Sequence, residues 1–326
     1  MKAIVYQQYG SPDVLQIVEL PQPVPKDNEI LIKIYATTVT SGDRRLRSLD
    51  MPPGFGLIGR LIVGWSQPRQ PILGTELAGE VVAIGSAVQR FKVGDRVVAF
   101  SGMSMGCYAE YKCMPEDGLV VLKPANLSDA EAAALSFGGT TVLDFFRRAN
   151  LQAGEKVLIN GASGAVGSAA VQLAHHVGAE VTAVCSGANT EWVRSLGAQQ
   201  VIDYHQTNFM QNGETYDVIV DTVGTAPFAR CQHSLSATGR LLLVLASLPA
   251  MLQSPWISFT TQKKVIAAPV AERLEDLQSL AHLAESGVFK PIIDRIYPFE
   301  QIAEAHRYVD TGHKKGNVVI DLQSKS

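Results

Sequence analysis

The chain has 326 residues, with 28 Lys and Arg against 31 Asp and Glu, a net charge of -3 and 46% hydrophobic residues. A near-neutral chain without a basic run is not built as an electrostatic nucleic-acid binder, and this length can bury two separate cores. Its apolar stretches are broken by Gly, Pro or charge before they could cross a bilayer; with four scattered cysteines and no apolar leader, it reads as cytoplasmic, with reduced thiols and neither membrane nor nucleic acid as partner.

Met1–Tyr6 and Leu15–Glu19 read as strands around a turn at Gly10–Asp13, and Pro21, Pro23 and Pro25 make an extended connector that cannot be helical. Glu29–Thr38 alternates as a half-buried strand does and ends at Thr40, Ser41, Gly42 and Asp43. Arg44, Arg45 and Arg47 then suggest a solvated helix face. Met51–Pro71 is irregular and apolar, either a minor core or a mobile lid over an apolar substrate. Ile72–Glu76, Gly79–Gly85, Phe91–Phe100, Cys107–Cys113 and Leu119–Lys123 continue a β-rich first domain, with a hairpin-type turn at Gly94-Asp95. Ser128 followed by Glu131 is a capping-box pattern, and helical periodicity runs on through Asn150, so the domain boundary falls near Pro124.

Lys156–Gly167, KVLINGASGAVG, is the stretch around which the rest is organised. A short β-rich run leads into Gly161, Ala162, Ser163, Gly164, Ala165, Val166 and Gly167, then into apolar residues at helical spacing. Strand, glycine turn and helix together offer backbone amides and a helix N-terminus to a dinucleotide pyrophosphate. Glu180–Cys185 follows at the expected distance, then a helical stretch at Thr190–Leu196 and apolar strands at Val201–Ile202, Val218–Val220, Leu241–Leu245 and Val265–Ala268. Alternation of this kind predicts an α/β domain with a doubly wound parallel sheet. Leu274–Ser286 and Phe299–Val309 read as helices and Asn317–Leu322 as a last strand.

In order, Gly74-Thr75-Glu76-Leu77-Ala78-Gly79, Val93-Gly94-Asp95-Arg96-Val97, Tyr108-Ala109-Glu110-Tyr111, Asn160–Gly167, Val201-Ile202-Asp203-Tyr204 and Asp221-Thr222-Val223-Gly224 span the whole chain. Through them the sequence resembles the medium-chain dehydrogenase/reductase superfamily, and within it the zinc-free quinone oxidoreductase branch. The resemblance implies a GroES-like β-rich substrate domain made of residues 1–124 and 271–326. It implies an NADP(H)-binding Rossmann domain from 125 to 270, an active cleft between the two, and a homodimer joined through the Rossmann edge strands near Lys263–Ala268.

Zinc-dependent members place a histidine where Thr75 stands and a thiolate in the segment that here is Thr40–Asp43, while Cys107 and Cys113 alone cannot close a structural site. No metal is therefore expected. After the second Rossmann strand an NAD site wants a carboxylate for the ribose diol, whereas Cys185–Asn189 is small and neutral, so NADPH is expected in preference to NAD. Ser186 and Asn189 would donate to the 2′-phosphate, although relatives often carry lysine at the latter position. Arg194 reads rather as helix surface. The resemblance puts Tyr204 beside the adenosine phosphate. Around the nicotinamide it puts Thr140, Val223, Gly224, Leu245, Ala246, Lys315, Gly316 and Asn317; Asp221 fits equally as a buried turn-former.

The implied reaction is hydride transfer from NADPH to a quinone or to the β-carbon of an α,β-unsaturated carbonyl. Thr40 is the candidate donor to the developing oxyanion, where relatives commonly carry asparagine; Asp43 orients its loop or the cofactor ribose, and protonation comes from solvent. Leu57, Phe100, Met103, Met105, Phe137, Met251, Trp256 and Phe259 are the candidate substrate lining, apolar and bulky. Two other expectations stand beside this one: a zinc-free alcohol or aldehyde oxidoreductase, and a non-enzymatic NADPH-binding protein of crystallin type.

Overall fold

The computed structural model describes residues 1–323. Contacts divide the chain into two compact units. The first comprises Met1–Met51, Gly56–Phe137 and the chain from Glu272 onward; the second comprises Pro52–Phe55 and Gly138–Ala271.

In the first unit, strands β1 (Lys2–Val5) and β2 (Gln16–Glu19) pair antiparallel. β3 (Glu29–Thr38) leads into helix α1 (Ser41–Ser48), and a further helix, α2 (Gly56–Val63), occupies the segment whose sequence reads as irregular. β4 (Glu76–Ile84), β5 (Arg96–Phe100), β6 (Tyr111–Pro115) and β7 (Val120–Leu122) follow, then helix α3 (Asp129–Ala133); α4 (Ser136–Ala149) starts at the end of this segment and from Gly138 onward belongs to the second unit.

The second unit supplies β8 (Lys156–Asn160), α5 (Ala165–Val177), β9 (Glu180–Cys185), α6 (Thr190–Ser195), β10 (Gln200–Asp203), β11 (Tyr216–Asp221) and α7 (Phe228–Cys231). It ends with β12 (Leu235–Leu243), α8 (Leu248–Thr260) and β13 (Lys264–Ile266). The chain then returns to the first unit as α9 (Leu274–Glu285), β14 (Ile293–Pro298), α10 (Ile302–Asp310) and β15 (Asn317–Asp321).

The large sheet of the first unit has seven strands, ordered β14-β15-β3-β4-β5-β7, with β6 also on β3. β3 is its centre: Ile30, Ile32 and Ile34 enter one core with Leu77, Val81, Val97 and Met114. Gly79 lies opposite Ile34, where a Cβ would come 2.2 Å from the Lys33 carbonyl, so that crossing requires glycine. A second core joins both chain ends, with Ile4, Tyr6 and Tyr108 packed against Phe299, Ile302, Val318 and Ile320. This shared core is the physical reason that residues far apart in sequence form one unit.

The sheet of the second unit is ordered β10-β9-β8-β11-β12-β13, and every pairing is parallel. This order reverses between β8 and β11, the topological switch point beside which the glycine turn after β8 lies.

Two sequence expectations need correction. Helicity does not run unbroken from Ser128 to Asn150, because Ser128 and Glu131 close their capping box on the short α3 and the chain restarts at Ser136. Nor is Arg47 part of a solvated face: it is 1% exposed and its Nη2 donates to both Asp310 oxygens at 2.7 and 2.8 Å.

Candidate functional site

In the second unit, the glycine turn has the shape a pyrophosphate requires. Gly161 has φ 84°, and a Cβ there would lie 2.5 Å from Thr222 Oγ1; at Gly167 it would lie 2.1 Å from the Gly161 carbonyl. These two glycines are needed for close packing, Gly161 against Thr222 and Val223 after β11 and Gly167 against the glycine turn itself. Gly164 differs: its nearest neighbour, the Gly161 carbonyl, is 3.7 Å from an added Cβ, so the turn is open on that side. It is also the N-cap of α5 and brings no side chain to cap the helix. Uncapped first-turn amides and the positive end of a 13-residue helix are a fit for an anionic group. Ala162 and Ala165 are buried beneath the turn, while Ser163 and Val166 are half-buried.

Asp221 proves to be the turn-former. Buried at the end of β11, it accepts Asn160 Nδ2 at 3.0 Å and the backbone N–H groups of Val223, Gly224 and Ala226 at 3.2, 3.0 and 2.8 Å. The carboxylate thereby fixes the exposed Val223–Gly224 turn, against which Leu245 packs. Ala246 is buried behind it, and Thr140 is buried in α4.

At the end of β9, Asn189 is already engaged, its Nδ2 donating to Ser186 Oγ at 3.0 Å and its Oδ1 accepting Trp192 Nε1 at 3.1 Å. Arg194 pairs with Glu191 on the helix surface. Tyr204 is half exposed and its ring lies 4.3 Å from that of His205. Local composition does not reveal the neighbour that matters here. Asp203, aligned with Cys185 across the sheet, brings Oδ2 to 2.7 Å from where a Gly187 Cβ would be. The loop is neutral by composition, but a carboxylate from the next strand stands beside it.

The first unit holds a buried acid cluster. Thr40 is the N-cap of α1 and forms a capping box with Asp43. Asp43 Oδ2 accepts the Thr40 amide at 2.9 Å and the Thr40 hydroxyl at 2.6 Å, and Oδ1 accepts the Gly74 amide at 3.0 Å. The Thr40 proton is therefore committed to Asp43, and Asp43 ties the end of β3 to the start of β4. Burial raises the Asp43 pKa to about 6 against the lowering effect of these bonds. Glu76, also fully buried, accepts Thr38 Oγ1 at 2.5 Å and the Phe137 amide at 2.6 Å. The break before α4 is what frees that amide. Burial raises the Glu76 pKa to about 7, and the nearby Asp43 charge adds to the shift. Between Gly74 and Glu76, Thr75 is 6% exposed with its hydroxyl unpartnered. Such a group is costly to leave unmade in a folded chain.

Tyr108 adds its hydroxyl to Asp43 and stands 3.2 Å from His306 Nε2. Burial pushes His306 down to about 3, with the Arg47 charge adding to the effect, so the ring is neutral. Near the C-terminus it is Lys314, rather than Lys315, that is embedded: its Nζ donates to the Gly316 carbonyl at 2.5 Å, and burial lowers its pKa to about 8 against the pull of Asp294 and Glu76. The Lys315 side chain is exposed, while Gly316 and Asn317 are held by the Ile292 carbonyl, which accepts both Asn317 N–H groups. Among the described residues, no three His, Cys, Asp or Glu side chains come together as metal ligands.

The expected substrate lining divides. Phe137 is half-buried beside Gly42, and Phe100 is buried at the end of β5. Met105 is a core residue, 5% exposed and packed with Leu73 and Tyr108, so it offers nothing to a ligand. The segment from Met251 to Phe259 is not one wall, because it is helical: Met251 packs on the core of its unit, while Trp256 and Phe259 are 70% and 86% exposed. Leu57 and Met103 are likewise exposed.

A 3-2-1-4-5-6 parallel sheet with an open glycine turn is the dinucleotide-binding fold, here joined in one chain to a β-rich unit. Residues 26–124 match the alcohol dehydrogenase GroES-like domain and residues 196–320 the zinc-binding dehydrogenase domain. The chain is 33% identical to a quinone oxidoreductase homologue of Spinacia oleracea, with 98% of each chain covered. It is 32% identical to the NADPH-dependent alkenal/one oxidoreductase of Arabidopsis thaliana, over 98% of this chain and 79% of that one. The solved quinone oxidoreductase of Coxiella burnetii superposes with a TM-score of 0.86 at 30% identity, covering 99% of both chains. The chain belongs to the medium-chain dehydrogenase/reductase superfamily, among its quinone oxidoreductase-like members.

Proposed function

We propose that this protein is a metal-independent reductase that uses NADPH to reduce a quinone or an α,β-unsaturated carbonyl. The observation that carries the proposal is the pairing of chemistries in one chain: an open glycine turn at an uncapped helix N-terminus, and a buried hydroxyl and carboxyl cluster at the positions that bind zinc in metal-dependent members. The turn from Gly161 to Gly167 would hold the pyrophosphate, and Ser186 and Tyr204 the adenosine end; the nicotinamide, when bound, supplies the hydride. The relatives named for quinone and alkenal reduction support the substrate class.

Within the first unit, Asp43 fixes Thr40 and the Gly74 amide, one residue before Thr75, whose hydroxyl is buried and unpartnered. Since Thr40 donates to Asp43, the role of oxyanion donor passes to Thr75. A hydroxyl donor is enough to stabilise an enolate or a quinol oxyanion, both far weaker bases than the alkoxide formed in alcohol oxidation. Solvent supplies the proton. The chain would pair with a second copy through β13, the edge strand of the parallel sheet.

The test is nicotinamide oxidation by metal-stripped protein with phenanthrenequinone, benzoquinone, a short alkenal and, in the reverse direction, a primary alcohol. Chelator-insensitive turnover of the quinones or the alkenal is expected. Binding of NADPH without any turnover would replace this reading with that of a non-enzymatic binding protein, and chelator-sensitive alcohol turnover would show a metal.

A further inference from the structure

Helix α2 carries apolar residues on an exposed face. Only Gly59 and Val63, four residues apart, turn inward, Val63 into the core shared by the chain ends and Gly59 over Met51. Leu57, Ile58, Leu61 and Ile62 form the adjoining face, and Trp65 follows it; they are 62%, 39%, 57%, 58% and 59% exposed. At 3.6 residues per turn, the four helical positions share an arc of roughly 140°. Single exposed hydrophobes need no explanation, but five large ones side by side mark an interaction surface.

The charges around the helix select the partner. From Met51 to Thr75 there is no Asp or Glu, and the two cations, Arg60 and Arg69, are both exposed. Arg60 lies on the flank of the apolar arc, its Nη1 donating to the Trp65 carbonyl at 2.8 Å. In a chain of net charge -3, residues 51–75 are thus apolar with cations as their only charges, and the preceding Asp50 is paired with Arg44. A two-fold contact with a second copy would press together two segments whose only charges are positive. An anionic lipid surface satisfies both features.

We propose that α2 is an interfacial helix that docks this protein on anionic membranes. Leu57, Ile58, Leu61 and Ile62 would enter the boundary between headgroups and acyl chains, Trp65 would sit at headgroup level, and Arg60 and Arg69 would meet lipid phosphates. No described helix is long and apolar enough to cross a membrane, and eight residues lying in the interface need not. The sequence, searched for a spanning stretch, predicts no membrane partner because this surface exists only once the helix has turned Gly59 and Val63 inward.

The full chain is sedimented with vesicles of phosphatidylcholine plus phosphatidylglycerol, and with phosphatidylcholine alone. Expected are partition onto the anionic vesicles, weakening as salt is raised, and a blue shift of tryptophan emission that Trp65→Phe abolishes. The double variant Leu61→Glu/Ile62→Glu, at exposed positions and checked for folding by circular dichroism, should lose about tenfold or more in partition. Failure of the wild-type chain to bind anionic vesicles at low salt overturns the proposal. So does equal binding by the double variant, or a dimer that the double variant dissociates in the absence of any lipid effect. The inference stands apart from the proposed reaction, since vesicle binding without turnover would overturn only the latter.

Discussion

Glu76→Gln isolates the buried carboxyl that the sequence reads merely as part of a strand. Burial raises this group from 4.5 to about 7, so the folded state holds a proton that the unfolded chain has already lost over that interval. A raised carboxyl makes its full relative contribution to stability below the unfolded value, and that contribution is lost as pH rises through about 7. At 1.36 kcal/mol per pH unit, the interval corresponds to about 3 kcal/mol, an order-of-magnitude figure for a fully buried group. Glutamine is nearly isosteric with the protonated acid. Its carbonyl can replace Oε2 in accepting the Phe137 amide, while its NH₂ donates to a Thr38 hydroxyl that rotates to accept. The variant should match the wild-type chain in urea unfolding at pH 5 and exceed it at pH 8, the gap opening between pH 5 and 7. A stability difference that does not change with pH would refute the reasoning, as would a variant less stable than wild type at pH 8.

Four other substitutions separate roles that the site combines. Gly164→Ala meets no atom closer than 3.7 Å, so thermal stability should hold while the NADPH dissociation constant, measured by fluorescence titration, rises about tenfold or more; Gly167→Ala, 2.1 Å from a carbonyl, should damage folding itself. Thr75→Val removes an unpartnered buried hydroxyl, so it should leave stability unchanged or raise it by about 1 kcal/mol while kcat falls about tenfold or more, as unfolding and steady-state assays would show. Asp203→Asn takes a negative charge from beside Gly187 and should raise kcat/KM for NADPH relative to NADH; an unchanged ratio would remove Asp203 from the cofactor end.

What was legible in the sequence had a local cause. Period-two and period-3.6 patterns mark most strands and helices, and the glycines at 161 and 167 declare a turn whose geometry admits no Cβ there. Ser128 and Glu131 are visible as a pair because a capping box is a contact between residues three apart. What was not legible depends on partners far away in the chain. Arg47 looks like surface until Asp310 arrives beside it, and Asp203 looks like the end of a strand until β10 lies against β9. Met105 and Trp256 have similar sequence character and opposite fates, since one enters the core made by the chain ends while the other falls on the outer face of a helix.

Glu76 shows why this boundary matters for function. Nothing in Gly74-Thr75-Glu76 distinguishes an exposed strand-end acid from a buried one. The difference comes from the restart of the helix at Ser136, which turns the Phe137 amide toward the carboxylate. Helix periodicity read straight through that break, because alanine and leucine at 134 and 135 satisfy a helix as well as a turn. The break frees the amide for the carboxylate, burial holds that carboxyl near neutrality, and Thr75, one residue before it, keeps its hydroxyl unpartnered.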